Sequence, residues 1–136
     1  GKNWIILGGM ALVLIIEDDE IIRSSFAELL KLQGYEVVDT ADGDQALQFC
    51  REIPPDLVIT DLLMPGKEGI ETITELKRDF PGVKIIAVSG GGSQGAVSYL
   101  SAAKALGADR TYQKPLKPQV LFDAVAELLD DESPGE

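Results

Sequence analysis

The 136 residues suit one domain with a single core, and a net charge of −11 at pH 7 argues against nonspecific binding to a nucleic-acid backbone, which needs clustered Lys and Arg. Histidine is absent, so neither Ser-His-Asp nor Cys-His machinery nor an imidazole zinc site can be assembled from these residues. Cys50 is the only cysteine, which excludes an intrachain disulfide, fits a cytoplasmic location and reads as a buried inert thiol on the apolar face of a helix.

Residues 1–9, "GKNWIILGG", read as a cloning remnant or unrelated extension, with Met10 as the natural start. The apolar run "MALVLII" is far shorter than the ~20 residues needed to cross a bilayer, so no membrane association is expected. Within it, "LVLII" has the length and composition of a buried strand. The following helix carries Ile22, Phe26, Leu29 and Leu30 on one face and is stopped by Gly34. "YEVVDT" is the second strand. Ala46, Leu47, Cys50 and Ile53 mark a second helix ended by Pro54-Pro55, and "DLVIT" is the third strand.

Ile70, Ile73, Leu76 and Phe80 mark a third helix that stops at Pro81-Gly82, before strand "KIIAVS". A helix over about 95–106, a weak strand "RTYQ" and a last helix follow; that helix has Pro118 in its first turn and Leu121, Ala124, Val125 and Leu128 facing inward. Residues 130–136, "DDESPGE", read as a polar tail or the start of a linker, leaving 10–129 as the domain. Five strands alternating with five helices imply a doubly wound α/β fold, a parallel sheet covered on both faces.

In such sheets ligands bind beyond the carboxyl ends of the strands. That edge collects Glu17, Asp18 and Asp19 after strand one, Asp61 after strand three, Ser89 after strand four and Lys114 after strand five. Each alone has an ordinary explanation: acids favour a helix start, Asp61 could open a turn, Ser-Gly-Gly is a common loop and Lys114 a surface lysine. Together they form a site. "LIIEDDE" drives an apolar strand into four consecutive acids, and a like-charged pair ~4 Å apart costs about 4 kcal/mol at an effective dielectric near 20. Glu17, Asp18 and Asp61 offer hard oxygen ligands with excess negative charge, which suits Mg²⁺ and cancels that repulsion. A carboxylate beside such a cation, with an ammonium and a hydroxyl as donors, is equipped to attack a phosphoryl group.

"LIIEDDE", "PPDLVITDLLMPGKEG", "IIAVSG" and "GADRTYQKPL" resemble, in order and spacing, the receiver domain of two-component response regulators over about residues 11–129. The resemblance implies a flavodoxin-like sheet of order 2-1-3-4-5. It implies that Asp61 is the phosphoacceptor and that Glu17, Asp18, Asp61 and the Leu63 backbone carbonyl hold Mg²⁺, Asp18 directly and Glu17 through water. It further implies that Ser89 binds a phosphoryl oxygen, that Lys114 pairs first with Asp61 and then with the phosphoryl group, and that Lys114-Pro115 is cis. The donor implied is a phosphohistidine on a separate sensor histidine kinase or histidine phosphotransfer protein. The product is a signalling switch acting on partners or a homodimer through helix four, strand five and helix five, rather than an enzyme of external metabolites.

Two features depart from the family pattern. The aromatic residue usual three positions before the lysine is Thr111 here, with Tyr112 one place later and on the other face of the strand. "SGGGSQGA" contains a formal G-x-G-x-x-G at Gly90, Gly92 and Gly95. A dinucleotide site is disfavoured because the fingerprint should follow the first strand of its unit, and Asp109 precedes rather than ends the next strand. A Mg²⁺-dependent phosphohydrolase is a weaker alternative, since Leu63 stands where such enzymes commonly carry a second acid; flavin binding lacks an aromatic pair in the loops. With Thr111 and Tyr112 as switch candidates beside Ser89, an aromatic rotation at the usual position is not expected. Partner binding or dimerisation measured before and after phosphorylation checks this: Thr111→Tyr should alter the response and Tyr112→Ala should leave it, and the reverse pair of results would contradict the expectation.

Overall fold

The computed structural model describes residues 10–62, 69–90 and 96–130, with the side chains of 96–98 excepted. The Leu63 carbonyl and the glycine-rich segment 91–95 lie outside the described residues. Chain order is β1 (Leu12–Ile16), α1 (Glu20–Leu32), β2 (Glu36–Thr40), α2 (Gly43–Glu52), β3 (Leu57–Asp61), α3 (Gly69–Asp79), β4 (Lys84–Ser89), α4 (Ala96–Ala105), β5 (Arg110–Gln113) and α5 (Pro118–Asp130). The strands form one parallel sheet in the order β2-β1-β3-β4-β5.

Side-chain alternation along the strands divides the core in two. On one face Leu14, Ile16, Val58, Ile85 and Ala87 pack with residues of α2, α3 and α4, including Leu47, Cys50, Ile73, Leu76 and Ala103. On the other, Val13, Ile15, Leu57, Ile59, Ile86 and Val88 pack with Ala27 and Leu30 of α1 and Leu121, Ala124, Val125 and Leu128 of α5. Every residue of β1 and β3 is buried, which is why β1 and residues 57–59 of β3 read as continuous apolar runs rather than alternating ones. Fully burying a side chain such as Leu121 contributes about 1.5–3 kcal/mol.

Helix ends follow local chemistry. The Asp19 carboxylate accepts from the Ile21 and Ile22 amides, both at 3.0 Å, and Asp42 accepts from Asp44 and Gln45 at 2.7 and 3.2 Å. After α1 the backbone turns through Gly34 at φ 97°, which a residue with a Cβ rarely adopts. The second helix differs from the periodicity: it ends at Glu52, and Ile53, in extended conformation, is 53% exposed rather than on the buried face. The Pro54-Pro55 pair explains this, because the residue before a proline is driven out of helical conformation. On α1, Ile22, Phe26 and Leu29 are only half-buried, with Ala27 and Leu30 carrying the core contact.

Two acids complete the opposite, amino-terminal edge of the sheet. Asp56 Oδ2 accepts from the Leu12 amide at 2.8 Å, and Asp109 Oδ2 accepts from the Ile85 amide at 2.7 Å. Asp109, whose spacing echoed a dinucleotide-site acid, therefore closes a strand start.

The start of α3 is set by a close approach. The Gly69 amide donates to the Leu62 carbonyl at 3.2 Å. A Cβ on Gly69 would overlap the Asp61 carbonyl oxygen and lie 2.6 Å from Leu62 Cα, both backbone atoms with little freedom to move. Gly69→Ala is expected to destabilise the domain by about 1–3 kcal/mol, lowering the Tm by several degrees. Gly82→Ala, which meets nothing within 4 Å, should leave the Tm nearly unchanged or slightly higher, and thermal melts of the pair check the contrast.

Candidate functional site

β1, β3, β4 and β5 deliver their last residues to one edge of the sheet. Glu17 follows β1 directly; its amide continues the ladder to the Thr40 carbonyl at 3.0 Å, so its backbone is fixed as if still in a strand. Asp61 is the last residue of β3 and pairs with Val88. Ser89 ends β4, and its carbonyl accepts from the Lys114 amide at 2.7 Å, joining the ends of β4 and the β5 segment. Lys114-Pro115 is cis.

The Lys114 ammonium bridges two carboxylates, with Nζ 2.8 Å from Glu17 Oε1 and 3.0 Å from Asp61 Oδ2. Both acids are only 5% exposed, so their charges are poorly solvated and depend on this partner. Asp18 is exposed, and carboxylate oxygens of Glu17, Asp18 and Asp61 lie within 4.8 Å of one another. Among the described residues three carboxylates face one ammonium, leaving net negative charge and hard oxygen donors, a set that fits a divalent cation such as Mg²⁺. The fully buried Ser89 hydroxyl has no hydrogen-bond partner among the described residues, which fits an acceptor group arriving from outside.

Burial raises the Glu17 carboxyl from its ordinary 4.5 to about 7, with Asp61 adding to the rise while Lys114 and the Asp19 amide oppose it. Burial works to lower the Lys114 ammonium, but its bonds to Glu17 and Asp61 outweigh that and hold it above its ordinary value.

The four consecutive acids take four separate roles. Glu17 holds Lys114, Asp18 completes the carboxylate cluster, Asp19 caps α1 and Glu20 lies in that helix's first turn, where negative charge suits the dipole. The cap was legible as an acid before an apolar period. Thr111 and Tyr112 lie on opposite faces of β5: Thr111 borders a cavity of about 370 Å³ with Leu100, Ser101 and Lys104, while Tyr112 packs on the core side shared by α1 and α5. Sequence reading missed a more apolar groove of about 450 Å³ beside Lys114, lined by Ile21, Ile22, Phe26, Pro115 and Leu116. Ile21, 79% exposed at its rim, falls outside the helix's apolar period and gave no signal.

At the carboxyl edge of this five-stranded doubly wound sheet a carboxylate cluster, a lysine and a hydroxyl thus come together. The family model for the response regulator receiver domain matches residues 13–126, and the chain belongs to that family. The chemotaxis protein CheY of Halobacterium salinarum is 34% identical over 118 residues, covering 86% of this chain and 95% of that protein. The DNA-binding response regulator MtrA of Mycobacterium tuberculosis is 32% identical over 126 residues, covering 91% of this chain but 54% of MtrA, so the chain spans about half of that relative's length. The crystal structure of a CheY-like receiver domain protein from Methanospirillum hungatei JF-1 superposes with a TM-score of 0.84 at 29% identity, covering 90% of this chain and 96% of that one. Among the described residues no helix is long and apolar enough to cross a membrane.

The raised Glu17 carboxyl has a definite sign for stability. The folded state takes up the Glu17 proton more readily than the unfolded chain does, so between pH 4.5 and about 7 stability falls as pH rises. In metal-free buffer, Glu17→Gln should match wild type in Tm near pH 4.5 and exceed it by a few degrees above pH 7; a difference that does not grow with pH would contradict this.

Proposed function

We propose that this receiver domain accepts a phosphoryl group on Asp61 from the phosphohistidine of a sensor histidine kinase or histidine phosphotransfer protein, in a Mg²⁺-dependent reaction, and thereby changes its binding to a partner or to a second copy. The observation that carries the reading is the Asp61 carboxylate at the end of β3, held 3.0 Å from Lys114 Nζ, with the Ser89 hydroxyl, unpartnered among the described residues, on the adjoining strand. The donor histidine lies outside these residues, which contain none.

An Asp61 carboxylate oxygen attacks phosphorus, the P–N bond breaks, and the imidazole leaves with the electron pair and takes a proton. Lys114 moves from its carboxylate partners to a phosphoryl oxygen, and Ser89 donates its hydroxyl to another. Glu17, Asp18 and Asp61, with the Leu63 carbonyl, would hold Mg²⁺, which supplies charge neutralisation of the phosphoryl oxygens. Water later attacks the same phosphorus and Asp61 departs as carboxylate, which resets the domain. The chain thus catalyses only its own modification and its removal, and it acts in the cytoplasm.

The face formed by α4, β5 and α5 is the proposed output surface, with Thr111 in place of an aromatic rotor. DNA binding, which the name of a longer relative states, is not assigned to these residues; their net charge of −11 opposes it.

Incubation with acetyl phosphate and Mg²⁺ should add one phosphoryl mass per chain, abolished by Asp61→Asn and by chelation, and slowed at least tenfold by Lys114→Met, as intact-mass spectrometry would read. A wild type left unmodified by several phosphodonors would overturn the proposal.

A further inference from the structure

Arg23, on α1, has no part in the chemistry above, yet its side chain is only 18% exposed and makes two directed contacts. One terminal guanidinium nitrogen donates to the Glu17 carbonyl oxygen at 2.8 Å, and Nε donates to Asp39 Oδ1 at 3.1 Å, near the end of β2. The Glu17 amide is already bonded to the Thr40 carbonyl of the same strand. Glu17 is therefore tied to β2 on both sides, directly through its amide and through Arg23 and Asp39 at its carbonyl.

That carbonyl belongs to the planar peptide joining Glu17 to Asp18, so its direction helps to set where the Asp18 backbone, and hence its carboxylate, is carried. On the other side of Asp18, the Asp19 amide donates to Glu17 Oε2 at 3.1 Å while the Asp19 carboxylate caps α1. The acid loop is thus held at each end. We propose that Arg23 is a positioning residue for the divalent-cation site, clamping the Glu17–Asp18 peptide so that the two carboxylates stay directed at the cluster.

The inference rests on the Mg²⁺ reading above, and two physical effects of opposite sign make it decidable. A guanidinium near a cation site repels the cation, so by charge alone its removal would tighten Mg²⁺ binding. As a clamp, its removal frees the peptide and weakens binding, as loss of groups that orient metal ligands commonly does. Asp39 offsets much of the guanidinium's charge without relaxing its hold on the carbonyl, which favours the clamp. A lysine at this position keeps the charge but is a point donor without the planar fork that serves two acceptors at once.

Isothermal titration of the full chain with MgCl2 tests this, with amide hydrogen exchange at residues 17–19 read in parallel. Arg23→Gln and Arg23→Lys should each raise the Mg²⁺ Kd by roughly tenfold and speed exchange at those amides. The effect of Arg23→Gln should be largely absorbed in a background of Asp39→Ala. Unchanged or tighter Mg²⁺ binding in Arg23→Gln would overturn the clamp while leaving the phosphoacceptor reading intact. Should that variant fail to fold in circular dichroism, the Kd of Arg23→Lys decides in its place: a rise supports the clamp, and a wild-type value overturns it. A wild type that takes up no Mg²⁺ would overturn both readings.

Discussion

The ion triad of Lys114 with Glu17 and Asp61 is the constraint from which the rest of this molecule's chemistry follows. Its three members come from the ends of three strands, and two of them are almost wholly removed from water. Removing the Lys114 ammonium would take away the one charge that bridges two buried carboxylates, which is destabilising, so the carboxyl edge of the sheet must keep β1, β3 and β5 in register. The ladder makes that register robust: Val13 to Ile16 pair with Leu57 to Thr60, and Leu57 to Asp61 with Lys84 to Val88. Stability resides in the two apolar layers, whereas the edge concentrates like charge and a hydroxyl left unsatisfied among the described residues. That division is common where function is built at the expense of local stability.

The same triad explains why the acid-rich loop needs so many separate restraints. Carboxylates in proximity repel, and each of the four acids is answered differently: by an ammonium, by openness to solvent, by helix amides and by a helix dipole. The raised Glu17 carboxyl shows that the answer at that position is incomplete, because burial outweighs the lysine.

Much of this was legible from the residues in order. Apolar runs such as "LVLII" and "LVIT" stand out because both faces of the sheet are covered, and helices with a clean inward face, α5 above all, declare themselves. The edge residues were legible because strand ends can be located to within a residue once the runs are recognised. What stayed hidden depends on contacts between distant parts of the chain. Arg23 carries no local signal; its partner Asp39 is 16 residues away, on a strand whose side-chain directions the sequence does not announce. Ile53 was misread because it continues the helical period past the point where the prolines stop the helix. Ile21 and the groove beside Lys114 arise from the way α1 sits beside the segment after β5, which no local pattern encodes.

Gly69 gives the edge a mechanical character. With no side chain on that residue, the first turn of α3 rests backbone to backbone on the peptide units of Asp61 and Leu62, and no compressible layer of methyl groups lies between them. Side chains absorb small displacements by changing rotamer, whereas apposed main chains do not. Any displacement of the Asp61 peptide unit toward α3 would therefore press directly on helix backbone, with no side chain at Gly69 to take up the movement.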